Sequence, residues 1–203
     1  MRVKTAFPII LDGIKLWWAD WANQVLVGLV AILLSLTVVL YPMAIFGVYE
    51  QAVDLTHGIR TGIIGFWRGF KSHWRKSLPW GLLNLVVVAL LGFNGWFYSS
   101  INSMVGFVLM VLMGLLLVFW LVWQFYTISC YFLQEEKGLK VARRNGLAVI
   151  LMQPGYAFLI GFVMLILLGL SVTTFIPLFL GSISLMCILG LRAVQATIKQ
   201  DES

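Results

Sequence analysis

Residues 104–126, MVGFVLMVLMGLLLVFWLVWQFY, contain no charged side chain and a single amide, Gln124. A helix rises about 1.5 Å per residue, so this run alone matches the roughly 30 Å of hydrocarbon in a bilayer. Charge is absent well beyond it, from Ser77 to Gln134. One crossing cannot use so long a stretch, and Asn94, Gly95, Ser99, Ser100, Asn102 and Ser103 supply a place to turn back. The stretch therefore reads as two spanning helices, 79–98 and 104–126, with Trp96, Phe97 and Tyr98 at headgroup level.

Working outward, Asp20 to Glu50 is a second charge-free stretch whose aliphatic heart, Val25 to Leu40, predicts a first spanning helix over 22–46. Pro42 near its end predicts a helix kink. A third stretch, Gly155 to Leu191, holds two crossings of near-minimal length, 154–172 and 177–196, reversing at Thr173, Thr174 and Pro177. With 61% hydrophobic residues, 11% charged and a mean hydropathy of +0.97, the chain is unlike a water-soluble domain. The fold class is all-α: a polytopic membrane helix bundle of about five transmembrane helices, residues 1–203 forming one membrane domain. Amphipathic cytoplasmic helices occupy the loops 50–77 and 134–153.

The cations assign the sides. Arg60, Arg68, Lys71, Arg75 and Lys76 lie in the first loop, Lys137, Lys140, Arg143 and Arg144 in the third, and Arg192 and Lys199 in the tail. With five crossings these share one face, which the positive-inside rule makes cytoplasmic, as in a bacterial plasma membrane. The C-terminus is then cytoplasmic and the N-terminus outside, which strands Arg2, Lys4 and Lys15. Asp12, Lys15 and Asp20 make a crossing by residues 7–21 costly, so that segment reads as an interfacial helix anchored by Trp17, Trp18 and Trp21.

In the first loop Ile63, Phe66, Phe70 and Trp74 form an oily stripe, and Arg68, Lys71 and Arg75 a basic one. Such a helix suits a membrane surface, with anionic headgroups against its cations. Gly58, Gly62, Gly65 and Gly69 repeat at helical spacing, which permits close helix approach. Each glycine costs a helix about 1 kcal/mol, however, so the segment reads as a loop to Gly65 and a helix from Phe66. The third loop echoes the first, with Lys140, Arg143 and Arg144 before Pro154 as Arg75 and Lys76 precede Pro79, which suggests a tandem repeat of spanning, basic and spanning helices.

Tuned catalytic groups are missing from the pattern. The acids, Asp12, Asp20, Glu50, Asp54, Glu135, Glu136, Asp201 and Glu202, all fall at helix ends or tails. No phosphate loop, zinc motif or serine elbow is present, and His57 and His73 have neither ligand-pair spacing nor a carboxylate at motif spacing. Cys130 and Cys187 lie in or at the edge of apolar runs as small hydrophobes. No catalytic, cofactor-binding or metal-ligating residue is assigned, and no nucleic-acid partner. Two candidate groups remain. Arg68, Lys71, Arg75, Lys76, Lys140, Arg143 and Arg144 form a candidate cytoplasmic interaction surface, and Asn84 and Gln124 are candidate intramembrane polar contacts. Glu50 and Asp54, one turn apart, are placed to dock the basic loop helices.

Several segments carry a family resemblance: Tyr41-Pro42-Met43-Ala44-Ile45-Phe46-Gly47-Val48-Tyr49, Gly58, Phe66-Trp67-Arg68-Gly69-Phe70-Lys71, Ala142-Arg143-Arg144-Asn145 and Gln153-Pro154-Gly155-Tyr156. In these the chain resembles the YesL-like bacterial membrane proteins, a family of undefined biochemical activity. It departs from the family's threonine-glycine-proline form in having Leu40-Tyr41-Pro42. The resemblance implies an accessory or regulatory role beside carbohydrate uptake systems, with another membrane protein as partner. A small permease with a path past Asn84 and Gln124 is the alternative, and a lipid-modifying enzyme is disfavoured by the missing acids and histidines.

Overall fold

The computed structural model describes residues 6–135, 138–174 and 181–201. Among these residues the chain is all helical: α1 Ala6–Ala19, α2 Trp21–Ser35, α3 Tyr41–Thr56, α4 Gly62–Ser72, α5 Trp74–Ser99, α6 Met104–Leu133, α7 Leu139–Met152, α8 Pro154–Thr174 and α9 Ser182–Asp201. Helices α5, α6 and α8 are long and apolar enough to cross a membrane, and α1 with α2 would add a fourth span bent by 89°. The apolar part of α9, Ser182–Ile198, is shorter. These helices suit a membrane-embedded helical protein by length and composition.

Helices α5 and α6 form the antiparallel hairpin expected of the longest charge-free stretch, but both outrun the expected spans. Helix α5 starts at Trp74, so Pro79 lies inside it, and it continues through Asn94 to Ser99. Asn94 Nδ2 donates to the Leu90 carbonyl at 2.7 Å, one turn back, so the asparagine extends the helix where a turn was expected. The reversal occupies only 100–103, and Ser103 Oγ caps α6 by accepting from Gly106 N at 3.0 Å. At its other end α6 runs through Tyr126 to Leu133.

The expected first span, 22–46, is not one helix. The chain breaks at 36–40 into α2 and α3. Ser35 Oγ donates to the Ala31 carbonyl and Thr37 Oγ1 to the Leu34 carbonyl, each at 2.7 Å, giving α2's last carbonyls side-chain partners. Leu36, Val38 and Val39 hide this break from any hydropathy reading. Pro42 consequently stands in the first turn of α3, where its missing N–H costs nothing, and it starts a helix where a kink near the end of one was expected. Its ring fills the space where a Cβ on Gly81 would lie, so α3 and α5 meet closely there. Helix α2 returns along α3: Asn23 abuts Gly62, just beyond the end of α3.

Each cationic loop helix folds back on the helix before it. Helix α4 starts at Gly62, whose φ of +51° is open to glycine, and not at the expected Phe66. Close approach is what its glycines serve: Gly69 sits against Glu50 and Gly47 of α3, and a Cβ on Gly47 would stand 2.8 Å from the Phe66 carbonyl oxygen. In the same way a Cβ on Gly146 of α7 would come within 2.8 Å of the Thr127 nitrogen of α6. The order of helix, folded-back basic helix and long apolar helix thus occurs twice, in α3–α4–α5 and α6–α7–α8. Three members of the expected oily stripe are inside the protein: Phe66 is buried, and Ile63 and Phe70 pack on the core, whereas Trp74 begins α5 and is exposed. Lipid was the cover expected from sequence.

Helix α1 lies against α9. Trp17 Nε1 donates to the Gly181 carbonyl at 3.2 Å, Gly13 meets Leu189, and Asp12 pairs with Arg192 at 3.2 Å, so the two run antiparallel. Residue Trp21 of the expected interfacial helix 7–21 belongs to α2. Helices α8 and α9 also run antiparallel, Ser171 Oγ lying 2.8 Å from Ser182 Oγ. Thr173 is still helical, its hydroxyl donating to the Gly169 carbonyl at 2.9 Å, and α8 ends one residue later, at Thr174. Pro177 and the start of the expected span 177–196, with Arg2, Lys4, Lys137, Glu136 and Glu202, lie outside the described residues.

Candidate functional site

Asn84 and Gln124 are brought together, with two tryptophans that sequence reading did not pair with them. Trp80 Nε1 donates to Gln124 Oε1 at 2.9 Å, and Trp120 Nε1 donates to Asn84 Oδ1 at 3.0 Å. Asn84 Nδ2 donates to the Trp80 carbonyl at 2.8 Å and approaches Gln124 Oε1 at 3.4 Å. The signal was legible: Trp80 and Asn84 are i, i+4 on α5, Trp120 and Gln124 are i, i+4 on α6, and an antiparallel hairpin lays one pair across the other. Each amide carbonyl accepts an indole N–H, a strong pairing where no water competes. Of this cluster's side-chain polar atoms only Gln124 Nε2 is buried without a partner. The cluster is a cross-hairpin clasp.

A second polar cluster joins α3, α4, α6 and the α4–α5 junction. Tyr131 OH lies 2.9 Å from His73 Nδ1, and His73 Nε2 lies 3.4 Å from Glu50 Oε2. A neutral imidazole protonated on Nε2 satisfies both contacts, accepting from the tyrosine and donating to the carboxylate. Arg68 Nε is 3.4 Å from Glu50 Oε1, and Arg68 Nη2 bonds Asp54, whose carboxylate also accepts from Thr61 Oγ1 at 2.6 Å. The hydrogen bond to Asp54 raises the Arg68 pKa above its ordinary value. A raised pKa makes the guanidinium's contribution complete below its unfolded-state value and lost only as pH climbs through the folded one, far into the alkaline range. Half-exposed, this pair contributes little to stability and serves to position α4 on α3.

The aromatic cover of this cluster is dense. Phe46 packs against Tyr131, Phe132, Trp80 and His73 with ring centroids 5.3, 5.5, 5.7 and 6.0 Å away, and Tyr49 stacks on Phe132 at 5.6 Å. Glu50 and Asp54 dock a basic loop helix as their spacing suggested. His73 was missed because its carboxylate comes from another helix, Glu50, and not from nearby sequence.

The seven cations of the candidate surface divide. Arg68 is engaged by Glu50 and Asp54. Arg143 is half-buried, and its carbonyl accepts from Trp123 Nε1 at 3.0 Å. Lys71, Arg75, Lys140 and Arg144 are exposed. Lys76 lies over the Tyr131 ring, 5.8 Å from its centroid, and Arg75 over Trp74 at 5.2 Å. Two open recesses, of about 290 and 370 Å³, flank Arg192 on α9, and neither is lined by Asn84 or Gln124. Among the described residues no three His, Cys, Asp or Glu side chains converge as a metal site would require. Cys130 and Cys187 are buried free thiols. Compared with protein-family models, with curated proteins and with solved structures, the chain matches none of them.

Proposed function

We propose that this protein is a non-enzymatic accessory or regulatory component of a bacterial plasma membrane that engages another membrane protein. The observation that carries this reading is the clasp: the polar side chains that would line a path through the α5–α6 hairpin are closed on one another by two indoles. A permease needs such groups free to meet a substrate. The carbohydrate side of the reading comes from the resemblance to YesL-like proteins, which makes a sugar uptake system the expected partner.

Geometry supports a depth assignment. The 30 residues of α6 rise about 45 Å, more than the roughly 30 Å of hydrocarbon. Placing Met104 near one headgroup layer brings Tyr126–Leu133, with His73 and Glu50 beside them, to the other surface, where Lys71, Arg75, Lys140 and Arg144 meet the cytoplasm. The paired Asp12 and Arg192 put the start of α1 at the same end as the end of α9. Both therefore belong on the cytoplasmic face, which leaves Lys15 no longer stranded outside.

The partner surface in this reading is α7. Val141, Arg144, Ala148 and Leu151 are all exposed, at spacings that place them on one stripe, and none is aromatic. An aliphatic stripe with one cation suits an acidic amphipathic helix of a partner. In mild detergent the wild-type chain should copurify with a membrane uptake system, and Arg144→Glu with Leu151→Glu should abolish that. Solute flux in proteoliposomes of the pure chain, lost on replacing Gln124 by Leu, would overturn the reading in favour of a permease.

A further inference from the structure

Helix α4 turns Phe66, Ile63 and Phe70 inward, yet its opposite face is neither polar throughout nor covered. Ile64 is 73% exposed and Trp67 39%, and Lys71 follows at helical spacing from both. One residue, His73, separates α4 from α5, whose first turn adds Trp74, 43% exposed, and Arg75 over its ring. Ile64, Trp67 and Lys71 thus share one uncovered face of α4, and Trp74 and Arg75 stand exposed just beyond its end, at the point where a long apolar helix begins. We propose that this surface is a lipid-binding face selective for acidic phospholipid headgroups.

Position, charge and side-chain chemistry all bear on the choice of occupant. Because α5 is long and apolar enough to span, the single-residue link holds the last turn of α4 at the depth of the headgroups. Indole rings favour that layer, apolar body toward the acyl chains and N–H toward water. Lys71 and Arg75 stand where phosphate oxygens would be, and Glu50 and Asp54 of the adjoining α3 are engaged by Arg68. That engagement decides the sign of the surface. Without Arg68 the two acids would face the same layer and offset the two cations; with it, α4 presents uncompensated positive charge. An acidic peptide would also meet the cations, but it would leave Trp67, Trp74 and Ile64 against water. Helix α7 makes the contrast: its exposed stripe has a cation but no aromatic. The inference does not rest on the partner reading of α7.

The test uses the full chain purified in neutral detergent, with bound lipid counted by native mass spectrometry after exposure to equimolar phosphatidylglycerol and phosphatidylcholine. The wild-type chain should retain phosphatidylglycerol preferentially. Lys71→Gln with Arg75→Gln should lower that preference about thirtyfold, corresponding to about 1 kcal/mol per cation. Arg68→Gln, which removes the positive charge set against the two carboxylates, should lower it as well, and a matching circular dichroism spectrum checks that each variant is folded. Equal retention of the two lipids by wild type overturns the proposal. So does an undiminished preference in the Lys71/Arg75 variant, including the case where that variant loses a copurifying protein instead. Copurification failing while lipid selectivity persists would strike the α7 reading alone.

Discussion

The two ends of α6 are packed in opposite ways. From Val122 to Phe132 it is walled in by α3, α7, α8 and α9, and Tyr126, Ile128, Tyr131 and Phe132 are buried. From Met104 to Val118 it touches little beyond α5, and Val105, Phe107, Leu112 and Leu115 stand exposed, as do Leu85, Leu90 and Phe93 opposite. Aliphatic surface on that scale is not tolerated in water but is the ordinary exterior of a helix in lipid. The difference is the one expected if protein packs where a bilayer no longer can. In the proposed placement the polar and aromatic clusters gather at the end of the hairpin that overshoots the hydrocarbon, and the bare end is left to acyl chains.

Equivalent substitutions at the two ends should therefore have unequal effects. The largest is expected for Phe46→Ala, which removes the ring at the centre of four others and should cost about 3–5 kcal/mol, against about 0.5 kcal/mol or less for Phe107→Ala. Thermal unfolding in nanodiscs compares them, and similar losses would erase the distinction. Next, Gly81→Leu drives a side chain into the Pro42 ring and should cost about 3 kcal/mol, whereas Gly114→Leu enters open space and should be neutral. A smaller effect, about 1 kcal/mol, is expected for Gln124→Leu at the boundary of the two regions, because Trp80 Nε1 loses its acceptor. Trp80 fluorescence, isolated by replacing the other tryptophans near it, should shift with that loss. Smallest is Arg68→Gln, about 0.5 kcal/mol, visible mainly as faster amide exchange along α4.

Sequence showed the bare region more clearly than the packed one, and for a physical reason. Lipid-facing helices must be apolar all round, so the absence of charge from Ser77 to Gln134 displays α5 and α6 directly. Packing against protein is decided by shape. Gly69 and Gly146 look like helix breakers by propensity, and only the neighbouring backbone explains them. The break after Ser35 rests on two hydroxyls returning to backbone carbonyls inside an otherwise aliphatic run, and hydropathy averages it away. The clasp was half visible: Asn84 and Gln124 stood out as amides in oily helices, but their indole partners are read as membrane-belt residues unless the i, i+4 pairs are laid across the hairpin. His73 and Glu50 are separated by α4, and nothing local announces their contact.

The central claim is that acyl chains cover Met104 to Val118, and it can be tested at one position. Leu115→Cys in the wild-type background, whose two native thiols are buried, is treated in intact membranes with a charged, water-soluble maleimide and then with a lipid-soluble one. The cysteine should resist the first reagent and react with the second. Reaction with the charged maleimide as fast as that of an Ile64→Cys control would place this end of the hairpin in water and contradict the account.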